Sequence, residues 1–270
     1  MNTKIKISLL LIVIAIAATA TITMIHSQSS RESATQKQQK IFGDVPVVDY
    51  NAALSSDLQQ DTGRLKRSKR GNMKLGKETG VFNPERFKIT EKTESAYGGF
   101  PTHAPEEPAI PAAKSDVVIT GEVTKAEAFL TEDKTSIYSE FGVKVNRVLK
   151  NSTFQAINTG DSITVSRGGG GVSFPSGKVM YRFFDGKPMP RVRGEYVIFL
   201  KYDTEAKDYP IITGYELKDG KIIPLDGIQR DGRIIDELAS HHSYKGMDIT
   251  DFINLVQYAI NNSQNLFRKE

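Results

Sequence analysis

Basic and aromatic side chains are interleaved between Arg167 and Arg193. This stretch holds six basic residues and four aromatic ones, and Asp185 is its one acidic residue, so its formal charge is +5. Guanidinium groups and aromatic rings together suit anionic polymers or sugars. We predict that five of the basic side chains form a ligand-binding surface: Arg167, Lys178, Arg182, Arg191 and Arg193. The alternative is that the aromatic rings face a core while the basic groups are solvated on the opposite face of a strand.

A run of four glycines at 168–171 precedes Lys178, an arrangement that superficially resembles a phosphate-binding loop. Such a loop requires four residues between its two glycines and a Ser or Thr after the lysine. Here five residues separate Gly171 from Gly177, and Val179 follows Lys178. The run is therefore predicted to be a hairpin tip or a bulge, where glycine tolerates unusual backbone angles.

The chain is poor in residues that serve known catalytic and metal sites. It has no cysteine, no H-E-x-x-H sequence and no G-x-S-x-G sequence. The adjacent His241 and His242 could reach one metal ion only from an irregular loop, because neighbours on a strand face opposite sides. We predict no metal site, no cofactor and no catalytic residue. An envelope hydrolase with an unrecognised carboxylate or hydroxyl site is the alternative.

The positive charge of the chain belongs to its N-terminal part. The formal charge is +4 over 270 residues, but residues 1–40 carry five basic and one acidic side chain. Residues 116–270 carry twenty basic and twenty-one acidic side chains. The basicity therefore does not predict that the C-terminal part binds nucleic acid.

The C-terminal part has the pattern of a β-rich domain. Short apolar runs alternate with Gly, Asp and Asn from residue 116 onward, and Ile137, Phe141 and Val143 share one face of a long strand. The alternation slips at Arg147, as a bulge would cause. We predict a mainly β domain, a small β-barrel or a sandwich, with an OB-like barrel as one form.

Two local signals place elements in this domain. Asp219-Gly220 between two apolar runs predicts a hairpin, because Gly accepts the positive φ of a primed turn. Apolar residues at helical spacing predict one C-terminal α-helix over residues 249–262, with Phe252, Ile253 and Val256 on its buried face.

The N-terminus predicts export. Residues 7–25 are uncharged and apolar and follow two lysines, so residues 1–27 form either a membrane anchor or a cleaved signal peptide. Both readings place the C-terminal domain outside the cytoplasm: anchored in the cytoplasmic membrane, or secreted or periplasmic if the signal is cleaved.

Residues 28–111 are predicted to be a flexible, partly basic and proline-rich spacer, with the β-rich extracytoplasmic domain over 112–270. The spacer contains five basic residues within 64–70. This stretch is predicted to be a solvated charged loop. Binding to an anionic lipid or wall polymer, or cleavage by a protease, are its alternative roles.

Residues 115–123, 135–141 and 190–200, with the sequences SDVVITGEV, TSIYSEF and PRVRGEYVIFL, resemble a group of uncharacterised exported bacterial β-rich proteins. The resemblance implies a bacterial, extracytoplasmic protein and carries no activity or site. The opening strand with Gly121, the long bulged second strand and the later hairpins are also similar to OB-like barrels of the netrin-module type. The cysteines that accompany such modules are absent here.

Together these features predict a non-enzymatic binding or interaction module, attached to the membrane through its N-terminal segment. The expected partner is an anionic polymer or protein of the cell envelope.

Overall fold

The computed structural model describes residues 45–51, 62–71, 95–100, 108–134, 136–177, 179–184, 186–227 and 239–267. The chain divides after Gly43 into two units, and all described residues belong to the second, Asp44–Glu270. The predicted anchor or signal at 1–27 lies outside the described residues. Within the described ranges, no helix is both long and apolar enough to cross a membrane.

The described part of the second unit contains ten strands and three helices. The strands are β1 (Val47–Asp49), β2 (Ser95–Phe100), β3 (Val117–Leu130), β4 (Ile137–Asn151), β5 (Ser162–Gly168), β6 (Gly170–Ser173), β7 (Val179–Phe184), β8 (Glu195–Leu200), β9 (Tyr209–Lys218) and β10 (Lys221–Pro224). The helices are α1 (Thr62–Gly71), α2 (Ala239–His242) and α3 (Ile249–Phe267). The prediction of a mainly β protein with a C-terminal helix is confirmed.

A six-stranded sheet forms the centre of the unit, with the strand order β10-β9-β5-β4-β3-β8. Strand β8 also pairs with β9, so the pairing that starts at β3 passes through β4, β5, β9 and β8 and returns to β3. The β5–β9 pair is parallel and the other pairs of this sheet are antiparallel.

The long β3–β4 pair contains the predicted irregularity. Thr120 lies opposite Arg147 whereas Gly121 lies opposite Val145, so Asn146 is the extra residue of a bulge. The inward face of β4 is apolar as expected, and Phe141 and Val143 are fully buried. Glu140 on the other face is also buried, at 7 % exposure. The alternation of the sequence therefore locates the strand, but it does not show that both faces are covered.

The predicted hairpin joins β9 to β10 at Asp219-Gly220. Both residues have positive φ, 50° and 74°, as a type I′ turn requires. Lys218 pairs with Lys221 directly before and after this turn. The sequence Asp-Gly-Lys-Ile-Ile at 219–223 recurs as Asp-Gly-Arg-Ile-Ile at 231–235, and this second stretch lies outside the described residues.

A second, four-stranded sheet has the order β1-β6-β7-β2, and its two outer strands run parallel to their neighbours. The glycine run joins the two sheets, since Gly168 ends β5 and Gly170 begins β6. Gly170 has a φ of 143°, and a Cβ there would lie 2.9 Å from both Ile137 Cγ2 and Ser139 Oγ. The run therefore serves close packing between strands.

Helix α3 covers one end of the large sheet. Phe252, Val256 and Ile260 are almost completely buried against Tyr215 and Ile222, and Ile253 packs at the edge of this cluster. Asp248 accepts a hydrogen bond from the backbone N–H of Thr250 at 2.8 Å and so caps the helix start. The helix ends at Phe267, five residues beyond the predicted end.

Segments before residue 112, assigned to the spacer by the sequence, take part in this fold. Strand β1 pairs with β6, and Tyr50 is buried against Phe174 with 5.4 Å between ring centroids. The Tyr215 hydroxyl donates a hydrogen bond to the carbonyl of Ala109 at 2.6 Å. The folded unit therefore draws on residues well before 112, because buried groups of the sheet have their partners there.

Candidate functional site

Two arginines of the predicted binding surface, Arg167 and Arg182, are buried in the protein. Arg167 lies in a cluster of charged groups. Arg167 donates to both oxygens of Asp226, at 2.7 and 3.0 Å, and the side chains are 4 % and 0 % exposed. Lys187 approaches the same carboxylate at 3.1 Å. Burial alone would raise the pKa of Asp226, but Arg167 and Lys187 lower it below its usual value. Arg167, Lys187 and Asp226 therefore form an internal ion-pair cluster and not a surface for a ligand.

The other members lie at separate places. Arg182 is 2 % exposed, and burial lowers its pKa to about 10. Arg191 is exposed and donates to both oxygens of Glu216 at 2.7 Å. Arg193 is exposed in the turn before β8, with a φ of 67°. Lys178 lies outside the described residues. Of the described members, Arg191 and Arg193 are the two that face solvent.

The basic stretch 64–70 is a helix docked on the sheet, which corrects the expectation of a solvated loop. Helix α1 places Arg64, Arg67 and Arg70 at intervals of three residues, so they lie along one side of the helix. The Arg64 guanidinium lies 4.4 Å from the centroid of the Phe129 ring, a cation–π contact. This side of α1 faces the domain.

Arg67 makes the most buried contact of α1. Its Nε donates to Glu140 Oε1 at 2.6 Å, and its Nη1 donates to the carbonyl of Ala206 at 3.1 Å. Both charged side chains are less than 10 % exposed. Glu140 can be buried on β4 because α1 supplies its counter-charge.

Arg70 binds a second pair of carboxylates. Its Nη1 and Nη2 each donate to Asp208 at 2.8 Å, and Nη1 also donates to Asp203. Ser166 of β5 donates to Asp208 at 2.6 Å and accepts from Arg70 at 2.9 Å. Burial alone would raise the pKa of Asp203, but hydrogen bonds from backbone N–H groups and from Arg70 outweigh this effect and hold the pKa below its usual value. Arg67 and Arg70 of α1 are thus paired with carboxylates of β4 and of the segment between β8 and β9.

The lysines of α1 lie beside a cleft of about 680 Å³. The cleft is lined by Lys66, Lys69 and Arg70 of α1 and by Lys201, Tyr202, Asp203, Thr204, Glu205, Ala206 and Pro210. Lys66 and Lys69 are exposed, and Lys69 makes only a long contact of 3.8 Å with Glu132. Lys201 faces them from the end of β8 and pairs with Asp116 at 2.9 Å. Three ammonium groups therefore meet around one concavity.

Aromatic rings extend from this cleft to the surface. Tyr202 lies 5.0 Å from the buried Tyr209 and 6.3 Å from Phe154, measured between ring centroids. Phe154 is 88 % exposed. Phe154, Tyr202 and Tyr209 thus form a continuous row of rings from the domain interior to solvent.

The histidine pair gives no metal centre within the described residues, which contain no group of three or more His, Asp or Glu side chains arranged for a metal ion. His241 is buried and stacks on Tyr215, with ring centroids 6.2 Å apart. His242 is half-buried, and burial together with Lys245 lowers its pKa.

The sequence does not predict the cleft beside α1, called the α1 cleft below. The reason is that the carboxylates which pair with the arginines of α1 are distant in the chain. Glu140, Asp203 and Asp208 lie 73 to 138 positions away from their arginine partners. The one local signal is the recurrence of arginine every third residue within 64–70, which marks one side of a helix.

No protein-family model matches the chain, and a search among curated proteins gives no match either.

Proposed function

We propose that the protein is a binding module for an anionic partner and that the α1 cleft receives this partner. Lys66, Lys69 and Lys201 would contact the anionic groups of the ligand. The uncharged segment at 7–25 supports an exported or membrane-anchored location, so the partner would belong to the cell envelope.

One observation carries the proposal: α1 separates its two kinds of cation. Arg67 and Arg70 are paired with Glu140, Asp203 and Asp208, whereas Lys66 and Lys69 remain exposed beside the cleft. Exposed ammonium groups held around a concavity attract anions and accelerate their association. The buried ion pairs fix α1 in place, so the lysines are positioned before a ligand arrives.

The proposed framework for this site is an OB-like barrel. The pairing order β3-β4-β5-β9-β8, with β8 returning to β3 and with β5 parallel to β9, supports a closed five-stranded arrangement. Small barrels of this kind bind polymeric ligands through strands and adjoining loops.

The alternative of an envelope hydrolase receives less support. A catalytic carboxylate must reach its substrate, but Glu140 and Asp208 are buried and ion-paired with α1. Ser166 donates to Asp208 beneath Arg70, where a substrate has no access while α1 is docked.

The test compares three variants of the full chain. The cleft variant carries Lys66→Gln, Lys69→Gln and Lys201→Gln. A matched control carries Lys144→Gln, Lys218→Gln and Lys221→Gln, three exposed lysines elsewhere. A third variant carries Arg191→Gln and Arg193→Gln and tests the surface predicted from the sequence.

Binding is measured on dextran sulfate and on a bacterial envelope fraction at 50 and 500 mM salt. Each exposed charge pair is worth roughly 0.2–1 kcal/mol, so the cleft variant should lose about tenfold in affinity at low salt. The matched control should change less than twofold. Equal loss in the cleft and control variants would reject the cleft, and a loss confined to the arginine variant would move the site to Arg191 and Arg193.

A further inference from the structure

We infer that the anionic partner is a sugar polymer, bound with a sugar ring against Phe154 and its anionic groups at the lysines of the α1 cleft. This inference rests on the proposed function and adds the chemical class of the ligand. Three features carry it: a presented aromatic ring, its continuity with the cleft, and the mixed polarity of the cleft wall.

The first feature is that Phe154 is presented by an ordered loop. Asn151 Oδ1 accepts hydrogen bonds from the backbone N–H and the hydroxyl of Thr153, at 3.0 and 2.8 Å. Asn151 Nδ2 donates to the carbonyl of Gln155 at 2.8 Å. These bonds flank Phe154 on both sides and hold an apolar ring in water, at 88 % exposure. A ligand that covers this ring removes apolar surface from water, which favours binding.

The second feature is that Phe154 connects to the cleft through Tyr202. The two rings meet edge to face, at an interplanar angle of 86°, and Tyr202 itself lines the cleft. Tyr209, which is 4 % exposed, supports Tyr202 from the domain side. A polymer lying across Phe154 and Tyr202 would therefore enter the cleft next to Lys201.

The third feature is that the cleft wall offers hydrogen-bond acceptors as well as cations. Asp203, Thr204 and Glu205 line it beside the lysines, and Thr204 and Glu205 are exposed. Carboxylates accept hydrogen bonds from ligand hydroxyl groups, and a hydroxyl group can both donate and accept.

This mixture discriminates between classes of polyanion. These carboxylates would lack hydroxyl donors to pair with if the ligand were an acidic peptide or a surface of phosphatidic acid, because neither carries alcohol hydroxyl groups. A sugar polymer supplies hydroxyl groups, an apolar ring face for Phe154 and, when sulfated, phosphorylated or carboxylated, the anions for the lysines.

The experiment measures affinities of the full chain for four probes: dextran sulfate, uncharged dextran, poly-glutamate and vesicles of phosphatidic acid. The variants are Phe154→Ala, Phe154→Tyr, which keeps the ring, and Tyr258→Ala. Tyr258 is a control because it is an exposed ring on α3, at 66 % exposure.

We expect wild type to bind dextran sulfate more tightly than poly-glutamate or vesicles. Phe154→Ala should lose about five- to tenfold on dextran sulfate without a change in salt dependence, as removal of a stacking ring costs about 1 kcal/mol or more. Phe154→Tyr should restore the affinity and Tyr258→Ala should leave it unchanged.

Two outcomes would overturn the sugar assignment. One is an equal affinity of Phe154→Ala and wild type for dextran sulfate, and the other is tighter binding to vesicles or poly-glutamate than to dextran sulfate. Failure of the proposed function itself would look different: wild type and the cleft variant would then bind all three polyanions equally weakly.

Discussion

The ion pair between Arg67 and Glu140 joins α1 to the six-stranded sheet. Each is less than 10 % exposed, so either charge would be buried without compensation if the other were removed. Breaking a buried pair at one partner costs about 3–5 kcal/mol. We expect Arg67→Ala to lower the free energy of unfolding by an amount in this range, measured by urea denaturation at pH 7.

Lys69→Ala is the matched control for this prediction. Lys69 lies two positions away on the same helix, is 56 % exposed and makes a contact of only 3.8 Å with Glu132. An exposed pair of this kind contributes at most about 1 kcal/mol. If Lys69→Ala and Arg67→Ala destabilised the protein equally, α1 would not be held by the Glu140 contact.

Asp226 links stability to pH. Burial would raise its pKa, but Arg167 and Lys187 lower it below the ordinary value of 3.8. A carboxyl group whose pKa is depressed by folding stabilises the protein above its unfolded pKa, and that stabilisation is lost as pH falls through the folded pKa. The wild type should therefore lose stability as pH falls below about 5.

The comparison with Asp226→Asn isolates this contribution. The variant should be less stable at pH 7, because Arg167 and Lys187 remain buried without their carboxylate. Its unfolding free energy should also fall less steeply between pH 5 and pH 3 than that of wild type. Parallel curves for the two proteins over this range would show that Asp226 does not titrate differently in the folded state.

At the scale of elements, α3 closes the core of the large sheet through its apolar stripe. Phe252 is fully buried and lies 4.5 Å from Tyr215 and 5.8 Å from Tyr244, between ring centroids. Truncation of a buried Phe to Ala costs about 3–5 kcal/mol. We expect Phe252→Ala to lower the melting temperature by at least about 6 °C. Tyr258→Ala on the exposed side should leave it within about 2 °C of wild type, and a similar decrease in both variants would argue against this packing.

The elements that the sequence predicts well are those whose causes are local. The β9–β10 turn depends on Asp219 and Gly220 alone, and α3 depends on an apolar stripe within one segment. Helix α1 has a weaker local signal, the arginine at every third position, and it carries no acidic residue in its first turn and no apolar stripe. Its contacts with the domain are non-local, since Arg67 pairs with Glu140 and Arg70 pairs with Asp208.

The candidate site could not be predicted for the same reason, because its arginines pair with residues that are distant in the sequence. Counting charges between Arg167 and Arg193 finds cations but not their partners, and Asp226 and Glu216 lie outside that stretch. An arginine-rich segment can be an internal ion-pair donor or an external binding surface with the same composition. Only the fold shows which carboxylates reach it, and these are non-local contacts.

At the scale of the whole molecule, residues before 112 supply both stability and the proposed cleft. A chain that begins at residue 112 lacks β1 and α1, so Glu140 and Asp208 would lose the arginines that neutralise them. It would also lack Lys66 and Lys69 from the cleft wall. We expect fragment 112–270 to unfold at a clearly lower urea concentration than fragment 45–270 at pH 7, and to bind dextran sulfate at least about fivefold more weakly.

The variant Arg67→Gln with Arg70→Gln in fragment 45–270 separates the two contributions of α1. It keeps Lys66 and Lys69 but removes the ion pairs that fix the helix. Its urea midpoint should lie between those of the two fragments, because it still has β1 and Ala109. Binding should fall as well, because lysines on an undocked helix are no longer held at the cleft. Equal urea midpoints for fragments 45–270 and 112–270 would instead restore residue 112 as the start of the folded unit, with α1 contributing nothing to its stability.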